Sequence, residues 1–289
     1  MSPKVTQAIL PLAGLGTRFL PWTKSVAKEM LPIGTRPIVA LIVDECLNVG
    51  ITDICFVISR GKEMIPQYFQ KDEALNAELR KRGKLHLIAE LQKYDAVRFH
   101  VVYQDEQLGD GHAILQAESW VETSKVAVLF GDDLFLGKQS GLQQLIKADK
   151  LCGDGERAVI AVEKIPRKLT KKYGIIGVEY SHPKDSRLKK VLSLVEKPTP
   201  AKAPSTFGIV GRYLIPRSIF PLLHKAKSGT KDGEIRLIDA LELRLRDADV
   251  YAYVCAGKRV DTGTPEGYRG LFFPGAMFRA ACIRKQGKA

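Results

Sequence analysis

Residues 5–18 read VTQAILPLAGLGTR, in which an apolar run passes directly into a turn that contains Gly14 and Gly16. If the run is the first strand of an α/β sheet, the turn lies at the carboxyl edge, where such sheets bind their ligands. Glycine tolerates unusual backbone conformations and lets backbone N–H groups approach phosphate oxygens. The stretch therefore predicts a strand followed by an anion-binding turn.

The pattern after this turn predicts the remaining elements. In the first half, segments rich in Val, Ile and Phe alternate with helical periodicity, which is typical of a parallel sheet covered by crossover helices. The elements predicted there are strands at 5–12, 54–58, 99–103 and 126–130 and a helix at 38–49. Beyond about residue 156 the prediction is strands at 158–162, 174–180, 190–195 and 207–214, a helix at 234–246, a strand at 250–255 and a terminal helix from about residue 265.

These elements predict an α/β fold with a doubly wound, Rossmann-like, mostly parallel sheet and an antiparallel extension that walls one side of a cleft. The sequence contains no repeat, low-complexity segment or clear linker. We therefore expect residues 1–289 to form one composite domain, with its two parts meeting at about residue 155.

The charge balance narrows the choice of partner. The chain carries 45 Lys and Arg against 32 Asp and Glu, a formal net charge of +13, which favours polyanions such as nucleic acid, anionic lipid or phosphorylated metabolites. The basic residues form separate clusters, at 80–84, 167–172, 184–190 and 284–288. Because no single basic arm is interleaved with aromatic residues, a solvated surface is favoured over a dedicated polyanion site.

The compartment predicted from the sequence is the cytoplasm. No basic leader with a long apolar region precedes residue 5, and no apolar run approaches the roughly 20 residues that a membrane span needs. The cysteines are widely spaced and form no C-x-x-C pair, at Cys46, Cys55, Cys152, Cys255 and Cys282. We expect them to be reduced residues of the core.

Two common nucleotide motifs are absent from the sequence. A dinucleotide fingerprint needs a small residue where Phe19 stands and an acidic residue at the end of the second strand, which instead runs into Ser59 and Arg60. A P-loop of the form G-x-x-x-x-G-K-[ST] is also missing. Hydride transfer and P-loop ATPase or kinase chemistry are therefore disfavoured.

Cations cluster beside the glycine turn, at Arg18, Lys24 and Lys28. Attack on a nucleoside triphosphate builds negative charge on the phosphate oxygens and on the departing pyrophosphate, and such cations stabilise it. Any one of them alone would more often be a solvated surface residue. Their concentration at a glycine turn after the first strand favours a triphosphate site.

Carboxylates in two distant segments are candidates for a magnesium site. Asp132 and Asp133 follow the strand at 126–130, and Asp261 follows the late strand at 250–255. Mg²⁺ takes one or two protein carboxylates and completes its shell with water and substrate phosphates. The alternative for each aspartate is that it caps a turn or helix.

A resemblance to a known family joins these features. The segments that carry it are AGLGTRFLP at 13–21, TK at 23–24, KEMLP at 28–32, GK at 61–62, Gln104, LG at 108–109, GHA at 111–113, GDD at 131–133, YG at 173–174, VEKP at 195–198, GRY at 211–213 and DTGTPEGY at 261–268. In these segments and their order, nearly the whole chain resembles the bacterial UTP:glucose-1-phosphate uridylyltransferases.

The resemblance implies transfer of a uridylyl group from UTP to glucose 1-phosphate with release of pyrophosphate and formation of UDP-glucose. It implies an in-line attack without a covalent enzyme intermediate, a homodimer or homotetramer, and no nucleic-acid or membrane partner. The part up to about residue 155 would bind the nucleotide, and the part at about 156–289 would bind the sugar and contain the C-terminal helices.

The resemblance also implies roles for individual residues. The nucleotide would be bound by Ala13, Gly14, Gly16, Thr17, Gln104 and Gly109, with Gln104 on the uracil edge. Arg18 and Lys28 would be catalytic and stabilise the reacting phosphates. Asp132 and Asp261 would bind Mg²⁺. The sugar phosphate would be bound by Gly174, Glu196 and Lys197.

Two positions depart from the family pattern. Ala27 stands where proline is usual, which removes a restraint on φ in the segment that carries Lys28. Asp110 stands where an apolar residue is usual and brings a carboxylate close to the expected base pocket, which bears on affinity and base preference.

Other functions stay open from the sequence alone. The same chemistry could use dTTP or another sugar phosphate, and a weakly active paralogue could regulate an active enzyme. Intact Gly16, Arg18, Lys28, Asp132 and Asp261 argue against the regulator. Nucleic-acid binding is the remaining alternative.

Overall fold

One mixed sheet runs through the two parts of the chain. In the computed structural model, residues 5–153, 155–227 and 233–272 are described, and they contain the following strands: β1 (Gln7–Pro11), β2 (Pro32–Ile33), β3 (Arg36–Pro37), β4 (Asp53–Ile58), β5 (Arg98–Tyr103), β6 (Lys125–Leu129), β7 (Asp133–Leu136), β8 (Ala158–Lys164), β9 (Gly174–Ser181), β10 (Leu188–Glu196), β11 (Phe207–Pro216), β12 (Val250–Val254) and β13 (Lys258–Asp261). The α-helices are α1 (Ile38–Leu47), α2 (Met64–Tyr68), α3 (Glu73–Lys81), α4 (Leu85–Leu91), α5 (Asp110–Leu115), α6 (Gly141–Leu151), α7 (Ile219–Lys227), α8 (Leu237–Arg244) and α9 (Pro265–Arg269).

The strand order of the main sheet is β5-β4-β1-β6-β11-β8-β12-β10-β9. Strands β5, β4, β1 and β6 are parallel, whereas β11 is antiparallel to its neighbours β6 and β8, and β10 is antiparallel to β12 and β9. The expected doubly wound parallel half with an antiparallel extension is therefore confirmed.

Helices cover both faces of the sheet because its central strands are apolar on both sides. In β4, Ile54, Phe56 and Ile58 face one cluster of buried residues, and Cys55 and Val57 face the other. Helices α1 and α6 pack into the first cluster, and α5, α7 and α8 pack into the second. Strands buried on both faces require continuous apolar runs, which is the pattern seen in the sequence.

Three boundaries differ from the sequence predictions. The helix predicted at 234–246 begins later, at Leu237, because the residues before it pair with the backbone near Gly111. Asp261 ends a separate strand, β13, which pairs with β7 and not with the main sheet. The terminal helix, α9, ends at Arg269 and is followed by a turn at 270–272, and the rest of its predicted extent lies outside the described residues.

The cysteines behave as expected where they are described. Cys46, Cys55, Cys152 and Cys255 are free, and the first two are buried, while Cys282 lies outside the described residues. Among the helices of the described ranges, none has the length and apolar character to cross a membrane.

Candidate active site

Two adjoining cavities open at the carboxyl edge of the parallel strands. The larger, of about 410 Å³, is lined by residues that include Ala13, Gly14, Lys28, Gln104, Gly109 and Asp132. The smaller, of about 150 Å³, is lined by residues that include Gly174 and Glu196. Asp110 borders both cavities. The structure thus brings predicted nucleotide residues to one cavity and predicted sugar residues to the next.

The glycine turn continues from β1 and curves beside the larger cavity. Gly16 has a left-handed backbone (φ 66°), and a Cβ there would stand 3.0 Å from Cγ2 of Thr23, so the position requires glycine. The Thr23 hydroxyl donates to the Gly16 carbonyl at 2.9 Å. Thr17 and Arg18 follow in a short 3-10 turn with exposed side chains. Gly16, Thr17 and Arg18 follow Gly14 in the chain but are not part of the lining of the cavity.

Lys28 lies in a second 3-10 turn, Lys28–Met30, and its ammonium contacts the Asp132 carboxylate at 2.7 Å. Burial disfavours the charged ammonium, but the carboxylates of Asp132 and Glu29 outweigh that effect and raise the pKa of Lys28. Burial likewise disfavours ionisation of Asp132, but Lys28 outweighs it and lowers the pKa of Asp132. The pair is therefore charged at neutral pH.

Asp132 and Asp261 converge although 128 intervening residues separate them in the sequence. Strand β13 pairs with β7, which places Asp261 opposite Asp133, and Thr262 donates its N–H to the Asp132 carbonyl at 2.7 Å. A Cβ on Gly263 would lie 2.7 Å from Oδ2 of Asp132 and 3.0 Å from Oδ1 of Asp261. Only the absence of a side chain at Gly263 leaves this space between the two carboxylates.

Asp133 has a different environment from its neighbour. Its Oδ2 accepts the N–H of Gly211 at 2.9 Å, and its Oδ1 lies 2.5 Å from Nη2 of Arg259. Only 5% of the residue is exposed. Asp133 is thus a structural residue in a buried ion pair, and its alternative assignment as a metal ligand does not fit these contacts.

Arg212 supports the turn that carries Asp132. The guanidinium is fully buried, pairs with Glu45 at 2.8 Å, and donates to the carbonyls of Phe130 at 3.1 Å and Asp133 at 2.6 Å. A planar, five-donor group suits this bridging of a carboxylate and several carbonyls. The backbone on both sides of Asp132 is therefore held by one buried side chain.

Gln104 is buried at the end of β5, at the base of the larger cavity. Its Nε2 donates to the Gly109 carbonyl at 3.0 Å and lies 3.0 Å from Nδ1 of His112. With both amide hydrogens directed there, the carbonyl Oε1 is the atom that can accept a hydrogen bond from a ligand. The ring nitrogens of His112 contact two side-chain amides, those of Gln104 at 3.0 Å and Gln116 at 3.1 Å.

Gly174 and Glu196 are cross-strand partners in β9 and β10. A Cβ on Gly174 would lie 2.6 Å from Cδ1 of Ile238 and 3.1 Å from Oε2 of Glu196, so glycine makes room for both. Lys197 is 59% exposed on its side chain, pairs with Glu196 at 3.0 Å and has a left-handed backbone (φ 44°). Such a conformation in a residue other than glycine costs roughly 1–2 kcal/mol and often marks a functional position.

The two departures from the family pattern have clear structural settings. Ala27 adopts φ −58°, the value that proline would impose, so its backbone follows the same path without the ring. Asp110 Oδ1 accepts the first N–H of α8, at Leu237, at 3.0 Å. Loss of hydration at the cleft wall raises the pKa of Asp110 to about 6, although its side chain stays open to the cleft.

Sequence reasoning missed the residues that hold these segments in place, namely Glu29, Glu45, Lys62, Arg212 and Arg259. Glu29, Lys62 and Arg212 stand in family-like segments, at 28–32, 61–62 and 211–213, but no role was predicted for them. The position of Lys62 just beyond β4, the neighbour of β1, could have placed it near the glycine turn, because adjacent parallel strands end at the same edge. No local signal marks Glu45 or Arg259.

The fold and this arrangement of anion-binding turn, cations and carboxylates define a nucleotide-handling transferase. Residues 7–272 match the family model described as nucleotidyl transferase. The chain belongs to the nucleotidyl transferase family.

Particular relatives are more informative than the family as a whole. The UTP–glucose-1-phosphate uridylyltransferase YngB of Bacillus subtilis is 38% identical over 264 residues, which cover 91% of this chain and 86% of the relative. The enzyme of that name from Staphylococcus haemolyticus is 38% identical over 266 residues, covering 92% and 90%. The resemblance seen in the sequence is confirmed.

Solved structures agree with these relatives. The UTP-bound UGPase from Acinetobacter baumannii superimposes with a TM-score of 0.83 and 34% identity, covering 96% of this chain and 99% of that one. A UDP-glucose pyrophosphorylase complexed with UDP-glucose gives a TM-score of 0.80 and 30% identity, covering 96% and 99%.

Proposed function

We propose that this protein transfers the uridylyl group of UTP to glucose 1-phosphate, giving UDP-glucose and pyrophosphate. The observation that carries the proposal is the convergence of the glycine turn, Lys28, Asp132 and Asp261 at one edge of the sheet. Relatives named UTP–glucose-1-phosphate uridylyltransferase, 38% identical over about nine-tenths of the chain, support it.

The larger cavity is the proposed nucleotide site. Ala13, Gly14, Gln104 and Gly109 line it, and Gln104 presents a carbonyl oxygen that can accept the N3–H of uracil. Cytosine has an acceptor at N3, so this geometry favours uracil or thymine. The turn formed by Gly16, Thr17 and Arg18 would lie along the triphosphate.

Cations stabilise the charge that develops during the reaction. An oxygen of glucose 1-phosphate attacks the α-phosphorus of UTP, the bond to the β-phosphate oxygen breaks, and pyrophosphate leaves. Lys28, kept protonated by Asp132, acts as a fixed positive charge and not as a proton donor. Arg18 would contribute a second charge from the exposed turn. Positioning and charge carry such a reaction without an enzyme nucleophile.

Asp132 and Asp261 are the proposed Mg²⁺ ligands. Their oxygens border one space beside Gly263, and Mg²⁺ uses one or two protein carboxylates together with substrate phosphates. Within the described ranges, His, Cys, Asp and Glu do not form any group of three or more suited to a metal, and the proposed site therefore rests on these two carboxylates. Bound Mg²⁺ would neutralise phosphate charge.

The smaller cavity is the proposed sugar site. The Glu196 carboxylate can accept hydrogen bonds from sugar hydroxyls, and Gly174 leaves backbone open for the ring to pack against. Lys197, at the exposed edge, would pair with the phosphate of glucose 1-phosphate. Its ion pair with Glu196 would orient both side chains before substrate enters.

A matrix of nucleoside triphosphates against sugar 1-phosphates, with Mg²⁺ and pyrophosphate release as the signal, tests the proposal. We expect the highest kcat/KM for UTP with glucose 1-phosphate, and UDP-glucose as the product. Preference for dTTP or another sugar would overturn the substrate assignment. UTP binding without turnover by any pair would indicate a regulatory paralogue.

Two variants test whether Lys28 contributes to the reaction. Lys28→Met should lose activity by a factor on the order of 10² or more, because a charge at the reacting phosphates is removed. Asp105→Asn, which removes an exposed ion pair with Arg60, is the matched surface control and should keep wild-type kinetics.

We further propose a cytoplasmic location, a homodimer or homotetramer, and one composite domain. The continuous sheet that joins β5 to β9 supports the single domain. Light scattering of the purified protein tests the assembly, and limited proteolysis that yields no stable half-length fragment would support the domain assignment.

A further inference from the structure

Lys62 makes a buried set of contacts that the reaction scheme does not use. Its ammonium contacts the carbonyl oxygens of Leu12 at 2.5 Å and Gly14 at 2.7 Å, and Oε2 of Glu29 at 3.1 Å. An ammonium has three hydrogens to donate, so these three acceptors use all of them. With Lys62 only 8% exposed, no donor is left for a substrate.

The three acceptors belong to two segments of the proposed site. Leu12 and Gly14 lie in the glycine turn, and Glu29 is the neighbour of Lys28 in the 3-10 turn. One side chain from beyond β4 therefore connects the nucleotide-binding turn to the turn that carries the catalytic cation. The two turns have no other shared anchor of this kind among the described hydrogen bonds.

The glycine turn is buried at Leu12 and Ala13, but its tip at Gly14 and Leu15 has little packing. A Cβ on Gly14 would meet no atom within 4 Å, and Leu15 is 62% exposed. The position of this tip therefore depends largely on polar contacts to the carbonyl groups of the turn: Lys62 at Leu12 and Gly14, the Gln107 amide at Ala13 (3.3 Å) and the Thr23 hydroxyl at Gly16. Of these donors only Lys62 is charged, and charged hydrogen bonds are roughly twice as strong as neutral ones.

The Lys62–Glu29 ion pair is buried, which indicates that it fixes the geometry of its neighbours more than it adds stability. Glu29 is 1% exposed, and a buried ion pair gains little net stability over an apolar pair of the same size. Burial lowers the pKa of Lys62 and raises that of Glu29, as expected for charges kept away from water. What the pair adds is a defined geometry for the carbonyls it meets.

We propose that Lys62 is a positioning residue: its ammonium holds the glycine turn and the Lys28 turn in one arrangement, and so sets the affinity for the nucleoside triphosphate without contacting it. The proposal rests on the proposed function for the identity of the nucleotide. The smaller cavity, lined by other segments, should be insensitive to Lys62.

The test compares Lys62→Met and Glu29→Gln with wild type, and Lys71→Met is the matched control because Lys71 is an exposed lysine in a surface ion pair. We expect Lys62→Met to raise the KM for UTP on the order of 10- to 100-fold, the equivalent of losing one charged hydrogen bond. The KM for glucose 1-phosphate should change less than twofold, and Lys71→Met should match wild type.

Chemical rescue distinguishes positioning from general destabilisation. In Lys62→Ala, small alkylammonium ions that enter the space left by the side chain should restore UTP affinity in part. A UTP KM within twofold of wild type in Lys62→Met, or equal increases in both KM values, would overturn the proposal. If Lys62→Met does not fold, Glu29→Gln and Lys62→Arg carry the same comparison, and a loss confined to UTP supports the proposal.

The positioning role of Lys62 can be tested even if the proposed function is wrong. If the wild type turns over no substrate pair, calorimetric binding of a nucleoside triphosphate panel to wild type and Lys62→Met still measures the effect of Lys62. Equal triphosphate affinities in the two proteins would then refute the positioning role.

Discussion

Removal of the Arg212 guanidinium should have two effects: it should destabilise the protein, and it should displace Asp132 from its position in the site. Arg212→Met keeps most of the side-chain volume but leaves Glu45 as a buried carboxylate without its cation. Glu45 then keeps the hydrogen bond that its Oε1 accepts from the Leu142 N–H at 2.7 Å. The carbonyls of Phe130, Gly211 and Asp133 also lose a donor.

The expected loss follows from this geometry. Breaking a buried ion pair by removing one partner costs about 3–5 kcal/mol. Each carbonyl deprived of its donor adds roughly 1–3 kcal/mol where water cannot replace it, so ~3 kcal/mol is the lower bound we expect. Because the turn at 130–133 loses its anchor, kcat with UTP and glucose 1-phosphate should also fall, on the order of tenfold or more.

Urea unfolding followed by circular dichroism measures the free energy of unfolding, and a double-mutant cycle with Glu45→Leu isolates the pair. The double variant should regain on the order of 2 kcal/mol relative to the sum of the single variants, because the unpaired buried charge is gone. A loss below ~3 kcal/mol in Arg212→Met, or strict additivity in the cycle, would refute this account of the buried pair.

Three shorter predictions follow from the same geometry. Asp132→Asn should lower kcat on the order of 10²-fold by removing a proposed metal ligand and the partner of Lys28. A loss under fivefold in steady-state assays would contradict the proposed role. Gly109→Ala places a Cβ 2.6 Å from the Ile235 carbonyl oxygen at a backbone φ of 101°, so it should lower the free energy of unfolding by about 2–4 kcal/mol. Gly50→Ala, at φ 80° with open space around the position, is the control and should lower it by only about 1–2 kcal/mol in the same urea titration. Dehydration raises the pKa of Asp110 to about 6 from an ordinary 3.8, and Glu196 and Asp239 face its carboxyl group. The folded protein therefore favours the protonated carboxyl, so wild type holds a stabilising contribution below pH 3.8 and loses it as the pH rises through 6. Asp110→Asn should therefore gain stability relative to wild type between about pH 4 and 6 and keep that gain above pH 6, and a difference independent of pH would exclude the titration of Asp110 as its source.

Much of the fold could be predicted from the sequence because its determinants are local. An apolar run that is buried on both faces identifies a strand such as β4 wherever its partners lie. The glycine turn is also a local property, since the left-handed backbone at Gly16 requires glycine. Asp132 could be placed at a ligand edge because it follows an apolar strand by a fixed number of residues.

The different settings of Asp132 and Asp133 could not be predicted from the chemistry of the residues, and only the resemblance to a known family assigned a metal to Asp132 and not to Asp133. The two are adjacent and chemically identical, yet one borders the cavity and the other is buried against Arg259. Which carboxylate faces the ligand depends on the pairing of β7 with β13, and that pairing joins segments more than 120 residues apart. No local pattern encodes such a register.

The sequence alone determined the class of fold, the glycine turn and the family to which the chain belongs, because hydrophobic period, glycine conformation and motif order are properties of short segments. Tertiary structure alone decided which buried charges pair: Lys62 with Glu29, Arg212 with Glu45, and Arg259 with Asp133. Electrostatic interactions depend on distance and burial in space, and both arise only when distant segments pack together.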